Sequence, residues 1–492
     1  MESKMFIQAE ALVPRIPEVV FPQPVDWSIR EGECWTVYGA NGSGKTLLAE
    51  VLKGRYGIAS GTMSYPFMDE IRAQGHTGTY PRQWIETVSF QSTYTMSNFR
   101  DSFYQQRFNS QETDYYPTVR ELLSRHADAP AVEEVLRTMD LSAQADERLV
   151  SLSSGQLRRL IICGALLRRP RMLIFDHPFI GLDEAARGRL NELFVRLVKE
   201  GTQLLFLIPT LRDIPPCTTH VLWLDACRVL YQGPKAGFHA EEKSPASGPH
   251  LPKGGMEPVL EKYRNVVEMK GLDIRYGTRV FQQGLDWTIR KGEKWALLGP
   301  NGSGKSTLLS FIFADNPQAY ALPVSLFDRR RGSGESIWDI KKRIGYTSSE
   351  MHLYYLENIP CLAVLQSGFF DSVGLFCKCS EEQTQLARKW LGVLGLSHLE
   401  NRSFLRVSSG EQRLLLFGRA LIKNPQVLIL DEPFHGLDYA TKRHCLNLIA
   451  EFAAQPDRSL IFVTHYREEI PACVDHVFEL KSPFEHEYNR PQ

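Results

Sequence analysis

Gly39-Ala-Asn-Gly-Ser-Gly-Lys-Thr46 and Gly299-Pro-Asn-Gly-Ser-Gly-Lys-Ser306 are two copies of one eight-residue pattern, 260 positions apart. The glycines let the backbone turn tightly and aim successive N–H groups at phosphate oxygens, and a following helix adds its positive N-terminal end. Lys45 and Lys305 are placed to reach the β- and γ-phosphates of a nucleotide. The hydroxyls of Thr46 and Ser306 are placed to take a position on Mg²⁺. Each copy follows a strand-like run, Trp35-Thr-Val-Tyr38 or Trp295-Ala-Leu-Leu298, and precedes a helix-compatible one. A chance glycine turn could imitate one such pattern, but not two in context. The expected phosphate cradles are Gly39, Asn41, Gly42, Ser43, Gly44, Lys45 and Thr46, and Gly299, Asn301, Gly302, Ser303, Gly304, Lys305, Ser306 and Thr307.

Outward from these loops the chain repeats itself. Asp26-Trp-Ser-Ile-Arg-Glu-Gly-Glu33 returns as Asp286-Trp-Thr-Ile-Arg-Lys-Gly-Glu293 at the same offset. Further on the offset falls to 255, carrying Ser153-Ser-Gly-Gln156 onto Ser408-Ser-Gly-Glu411 and Asp176 onto Asp431. From Gly233 to about Pro258 lies a stretch rich in Gly, Pro, Ser and charge, without periodicity, which reads as a linker. The expected organisation is a first domain over 1–232, a flexible linker over 233–262 and a second domain over 263–492. Each half opens with short β-like segments and then alternates strand and helix patterns, which implies an α/β domain with a mainly parallel sheet.

Leu173-Ile-Phe-Asp176 and Leu428-Ile-Leu-Asp431 are buried-strand patterns ending in a carboxylate, where a parallel strand delivers a group for Mg²⁺. Ser154-Gly155 and Ser409-Gly410 head amphipathic helices that end near Pro170 and Pro425, with Ser153 and Ser408 as caps. By themselves these two starts are ordinary capped helices.

Composition sets the outer limits. With 492 residues, 43% of them apolar, the chain is long enough for two cores. Its 57 basic and 57 acidic residues cancel, so no net field marks a general nucleic-acid binder. No apolar run approaches the roughly 18 residues of a membrane span. The start, Met1-Glu-Ser-Lys-Met-Phe6, is not a secretory signal, and the reading is a cytoplasmic protein, peripheral at most on the inner face of a membrane. The nine cysteines contain no C-x-x-C, only Cys377-Lys-Cys379, and read as reduced thiols rather than zinc ligands.

Leu152-Ser-Ser-Gly-Gln156 and Val407-Ser-Ser-Gly-Glu-Gln412 resemble the signature of the ATP-binding-cassette (ABC) family, and Asp431-Glu-Pro433, Gly436-Leu-Asp438 and Thr464-His465 follow in the family's order. The likeness covers nearly the whole chain. It implies two tandem P-loop NTPase domains of ABC type, each a mainly parallel core sheet with an antiparallel part and a helical subdomain. It also implies two Mg-ATP bound by intramolecular pairing of the domains, with Ser154, Gly155, Ser409 and Gly410 each facing a nucleotide. Asp213-Ile-Pro-Pro-Cys217 and Glu469-Ile-Pro-Ala-Cys473 are similar to the molybdate-transport group of the family.

The resemblance assigns different roles to the two halves. Glu432 matches the carboxylate that polarises the attacking water, His465 the γ-phosphate histidine, and Tyr276 an adenine-stacking position. In the first half His177, Ile16 and either Pro209 or Thr210 stand there instead, so hydrolysis is expected mainly in the second. For Mg²⁺ the implied residues are Thr46, Gln91 and Asp176, and Ser306 and Asp431. The second half lacks the Gln91 equivalent, with Ser349 as its counterpart. A membrane permease is the partner most often implied. The alternatives are an ABC ATPase acting on nucleic acid or ribosomes, or a regulatory ATP-binding module. The 233–258 stretch is too short and broken for the charged helical arm of translation-factor members. A helical, aromatic-rich stretch over 92–125 reads as a surface lobe.

Overall fold

The computed structural model describes residues 3–480 apart from 18, 76–79, 90–116, 150–151, 153, 241–249, 253–261, 277–278, 302, 314–315, 349–350 and 352–354. The chain divides into two compact units, built mainly from residues 1–244 and 245–492.

In the first unit, β1 (Met5–Arg15), β2 (Val25–Arg30) and β4 (Gly57–Ser64) form an antiparallel sheet in the order β2-β1-β4. A six-stranded sheet runs β5 (Ile85–Ser89), β6 (Met172–Asp176), β7 (Gln203–Ile208), β3 (Trp35–Tyr38), β8 (His220–Asp225) and β9 (Arg228–Pro234). All neighbours in it are parallel except the β8–β9 hairpin. Strands β6 and β7 are buried throughout, which is why they read as unbroken apolar runs rather than alternating ones. Their side chains still alternate between two cores. Leu173, Phe175 and Phe206 pack with the helices Ala129–Thr138, Ser154–Leu166 and Glu184–Lys199, while Ile174, Leu205 and Leu207 pack with β1, β2 and the helix Lys45–Leu52.

The second unit repeats this plan. β10 (Asn265–Tyr276), β11 (Arg279–Arg290), β13 (Val324–Leu326) and β14 (Arg329–Arg330) form the antiparallel part. β15 (Ile344–Ser348), β16 (Val427–Asp431), β17 (Ser459–Val463), β12 (Lys294–Leu298) and β18 (His476–Glu479) form the parallel sheet in that order. The duplication reaches single contacts. Trp35 Nε1 donates to Glu33 at 2.8 Å and stacks on His220, and Trp295 Nε1 donates to Glu293 at 2.9 Å and stacks on His476.

Two expectations change. The opening strands β1, β10 and β11 are long, 11, 12 and 12 residues, because each carries irregular register steps that let it curl around its core. The folded part of the first half also runs past the boundary at 232. Strand β9 ends at Pro234, and a turn at Lys235–Gly237 follows, tied by the Lys235 N–H to the Thr219 carbonyl at 2.7 Å. Within the stretch read as linker, the Leu251 N–H donates to Glu451. Of the 92–125 stretch, Val119–Leu123 is a short capped helix, and residues 92–116 lie outside the described ones. Among the described residues no helix is long and apolar enough to cross a membrane.

Candidate active site

In both units the phosphate-loop strand lies between two parallel neighbours, β7 and β8 around β3, and β17 and β18 around β12. The loop therefore leaves the sheet at its topological switch point, beyond the carboxyl ends of the strands. Gly44 and Gly304 cap the helices Lys45–Leu52 and Lys305–Ile312 at φ 97° and 95°, a left-handed conformation that favours glycine. Close approach matters as much at Gly39, where a Cβ would fall 2.2 Å from the Leu224 carbonyl oxygen. Lys45 Nζ donates to the Gly39 and Ala40 carbonyls at 2.7 and 2.8 Å, and Lys305 Nζ to those of Gly299 and Pro300 at 2.6 and 2.9 Å. Both ammonium groups are thus drawn across their loops. Burial lowers Lys45 to about 8, against the pull of Asp176.

The expected Mg²⁺ position in the first unit passes a test of fit. Thr46 Oγ1 lies 3.4 Å from Asp176 Oδ2, while Asp176 Oδ1 is buried without a hydrogen-bond partner among the described residues. Burial, opposed by Lys45, lifts the Asp176 carboxyl to about 6. Two hard oxygen donors, one an unsatisfied carboxylate in a dry site, suit a small dication. Ser43 and Ser303 repeat the theme, since each Oγ is buried with no such partner. Asp431 closes β16 as Asp176 closes β6, and both are buried.

The residues after these aspartates share a backbone and differ in chemistry. His177 and Glu432 both have left-handed φ, 52° and 51°, and donate their N–H groups to Leu207 and Val463 of the next strand. Glu432 Oε1 lies 3.0 Å from His465 Nδ1, and Oε2 lies 3.1 Å from His435 Nδ1. Burial works against ionisation of Glu432, but His435, His465 and Lys305 together outweigh it and hold the carboxyl well below the usual range. Burial in turn keeps His435 below the ordinary histidine value against the pull of Glu432. His177 has a carboxylate neighbour. Its Nε2 lies 3.6 Å from Asp176 Oδ1.

Strand register settles two counterparts. Asp176 pairs with Leu207 and Asp431 with Val463, so His465, two residues beyond Val463, corresponds to Pro209 and not to Thr210. Ser89 pairs with Asp176 and Ser348 with Asp431, so by count along the chain Gln91 corresponds to Glu350 rather than to Ser349. Gln91, Ser153, Gly302, Ser349 and Glu350 lie outside the described residues, as do the side chains of Ser154, Gly155 and Tyr276. β1 and β10 share one register against β2 and β11 as far as Leu12 and Leu272, four residues before Ile16 and Tyr276. Ser408 caps the helix Ser409–Leu421 in a reciprocal box with Glu411, as expected.

Sequence reasoning missed His435. The same self-alignment that set His177 against Glu432 sets Ile180 against His435, so Glu432, His435 and His465 in one half correspond in sequence to His177, Ile180 and Pro209 in the other.

Comparison with known proteins agrees with this geometry. The model of the ABC transporter family matches twice, over residues 22–180 and 282–435. The chain belongs to the ABC family. It is an ATP hydrolase of that family with tandem domains. It is 33% identical to the ABC transporter ATP-binding protein ModF of Escherichia coli, over 92% of each chain. It is 30% identical to an uncharacterized ABC transporter ATP-binding protein of Schizosaccharomyces pombe, over 92% of this chain and 93% of that one. Among solved structures, a model of ribosome-bound archaeal Pelota and ABCE1 shares the fold over 95% of this chain and 76% of that one, with 20% identity and a TM-score of 0.60.

Proposed function

We propose that this chain is the ATP-binding component of a transporter with a separate membrane permease, cytoplasmic and at most peripheral to the membrane, and that it hydrolyses ATP mainly in its second half. The likeness to ModF across both chain lengths supports the transporter reading and makes molybdate or another oxyanion the first solute to try. The observation that carries the asymmetry is the Glu432 carboxylate clasped by His465 and His435, set against His177 in the same backbone seat.

In this reading two Mg-ATP bind by pairing of the halves, each against the other half's signature serine and glycine, Ser154 and Gly155 or Ser409 and Gly410. Lys45 and Lys305 bind phosphate oxygens, and the loop N–H groups orient them. Mg²⁺, when bound, neutralises charge on those oxygens, and Thr46 with Asp176, and Ser306 with Asp431, would hold it. Glu432 enters ionised, aligns a water through one carboxylate oxygen and accepts its proton there. His465 fixes that carboxylate and donates toward the γ-phosphate. Pairing and reopening of the halves would then move the permease.

The test is single-turnover and steady-state hydrolysis by Glu432→Gln and His177→Ala. Glu432→Gln should lose about a hundredfold or more while still binding ATP, and His177→Ala should keep most of its turnover. Equal losses in the two variants would refute the asymmetry.

A further inference from the structure

Outside the nucleotide sites, the first unit brings together two cysteines that the sequence keeps 183 positions apart. Cys34, the residue before β3, and Cys217, in the loop between β7 and β8, have their Sγ atoms 3.8 Å apart. The backbone around them is pinned. The Cys34 N–H donates to Thr219 Oγ1 at 2.9 Å, and the Cys34 carbonyl accepts from the N–H groups of Thr219 and His220 at 2.8 and 3.1 Å. Cys34 is 1% exposed, whereas Cys217 is half-buried and so open to a small solute. Lys235 brings a cation beside the pair, its Nζ 3.3 Å from the carbonyl of Pro215.

We propose that Cys34 and Cys217 form a hydroperoxide-reactive pair in which Cys217 is the attacking thiolate and Cys34 the resolving thiol. The electrostatics agree with the geometry. The hydrogen bond from Cys34, with the Lys235 charge, holds Cys217 below the ordinary thiol range despite its burial. The same hydrogen bond and burial push Cys34 up, which keeps its proton in place until it is needed. The Cys217 thiolate attacks the terminal oxygen of a hydroperoxide, the O–O bond breaks, the alcohol leaves with a proton, and a sulfenic acid remains. The Cys34 sulfur then attacks the sulfenic sulfur, the S–S bond forms and the S–O bond breaks. Water leaves with the Cys34 proton. Two thiols and one hydroperoxide give one disulfide, one alcohol and one water, or two waters when the oxidant is hydrogen peroxide.

The second unit supplies an internal control. Lys294 stands in the place of Cys34, its N–H on Asp475 Oδ1 at 2.9 Å as that of Cys34 is on Thr219, and Cys473 stands in the place of Cys217. The backbone seat is duplicated, but the second thiol is not. A Cys34–Cys217 bond would join the foot of the phosphate-loop strand to the loop that follows Pro209 in the first half only.

The experiment treats the full chain with hydrogen peroxide and follows it by intact mass and non-reducing peptide mapping. A loss of about 2 Da and a Cys34–Cys217 peptide should appear about tenfold faster than oxidation of the exposed Cys377, and a dithiol should reverse both. With Cys34→Ser or Cys34→Ala, dimedone should trap a sulfenic acid on Cys217. With Cys217→Ser, Cys34 should remain a thiol, and Cys473→Ser should behave as the unaltered chain. Cys34 and Cys217 both surviving as thiols while Cys377 is oxidised would overturn the proposal, and so would a dimedone adduct on Cys34. The unaltered chain alone decides the first of these, so the proposal stays testable even if a variant folds poorly.

Discussion

Replacing His177 by glutamate gives the first half a carboxylate but not its surroundings, and on the geometry described this alone should recover little hydrolysis. The backbone is no obstacle, because His177 and Glu432 share left-handed φ values of 52° and 51°. What is missing is the pair of imidazoles, 3.0 and 3.1 Å from the Glu432 oxygens, whose places are taken by Pro209 and Ile180. Only the His465 contact is a hydrogen bond, His435 Nδ1 having none among the described residues, and such a bond to a charged group contributes about 1.5–3 kcal/mol, or roughly 10 to 10² in rate. Asp176 adds to the deficit. Its Oδ1 is 3.6 Å from His177 Nε2, and a second carboxylate at such a distance is repelled by roughly 4 kcal/mol at an effective dielectric near 20. The assay is single-turnover phosphate release from labelled ATP in a Glu432→Gln background, which silences the second half. His177→Glu should stay at least about 100-fold below the unaltered chain, and His177→Glu with Ile180→His and Pro209→His should run at least about tenfold faster than His177→Glu alone. A single variant within tenfold of the unaltered chain would show that the imidazole clasp is dispensable and the reasoning wrong.

Other consequences are simpler to check. Burial raises Asp176 from 3.8 to about 6, so its ionisation opposes folding. The cost is absent below about pH 4, grows as pH rises toward 6 and is full above it, so Asp176→Asn should stabilise the apo chain by about 3 kcal/mol at pH 7.5 in urea unfolding and not at pH 4. Mg-ATP should reverse that order at pH 7.5. Gly345→Ala should destabilise the second unit by more than about 3 kcal/mol, since its Cβ would meet the Ala420 carbonyl oxygen at 2.1 Å, whereas Gly75→Ala, with open space but φ 88°, should cost about 1 kcal/mol. Equilibrium binding should find two nucleotides per chain, and Lys45→Ala or Lys305→Ala should each remove about one.

The sequence carried the fold because its decisive signals are local. A glycine loop between a strand and a helix needs eight residues, and the internal repeat supplies a second instance that removes chance. Glu432, His465 and the aspartates were legible for the same reason, each lying at a fixed step from a recognisable strand. Counterparts across an insertion were not. Whether Pro209 or Thr210 matches His465, and whether Ser349 or Glu350 matches Gln91, is decided by which residues of parallel strands lie side by side, and β7 and β17 have that register only in three dimensions. His435 was readable yet unread, because an isoleucine at the position equivalent to a histidine attracts notice only once Glu432 is seen between His435 and His465. The Cys34–Cys217 approach was out of reach, since it depends on β3 and β8 pairing across most of the first half.

The left-handed turn after β6 and β16 bears on how a duplicated gene ages. A residue other than glycine spends on the order of 1 kcal/mol to sit there, and the first half still bears that cost without the acid that would justify it. The turn is therefore a property of the sheet, held by the N–H bond to the neighbouring strand, and its tenant is free to change. On the proposed division of labour such a seat works as a fossil mould: the half without the carboxylate keeps the main-chain shape of the half that has it. Decay of one half into a scaffold, or its later repair, then takes a few side-chain exchanges and no refolding of the main chain.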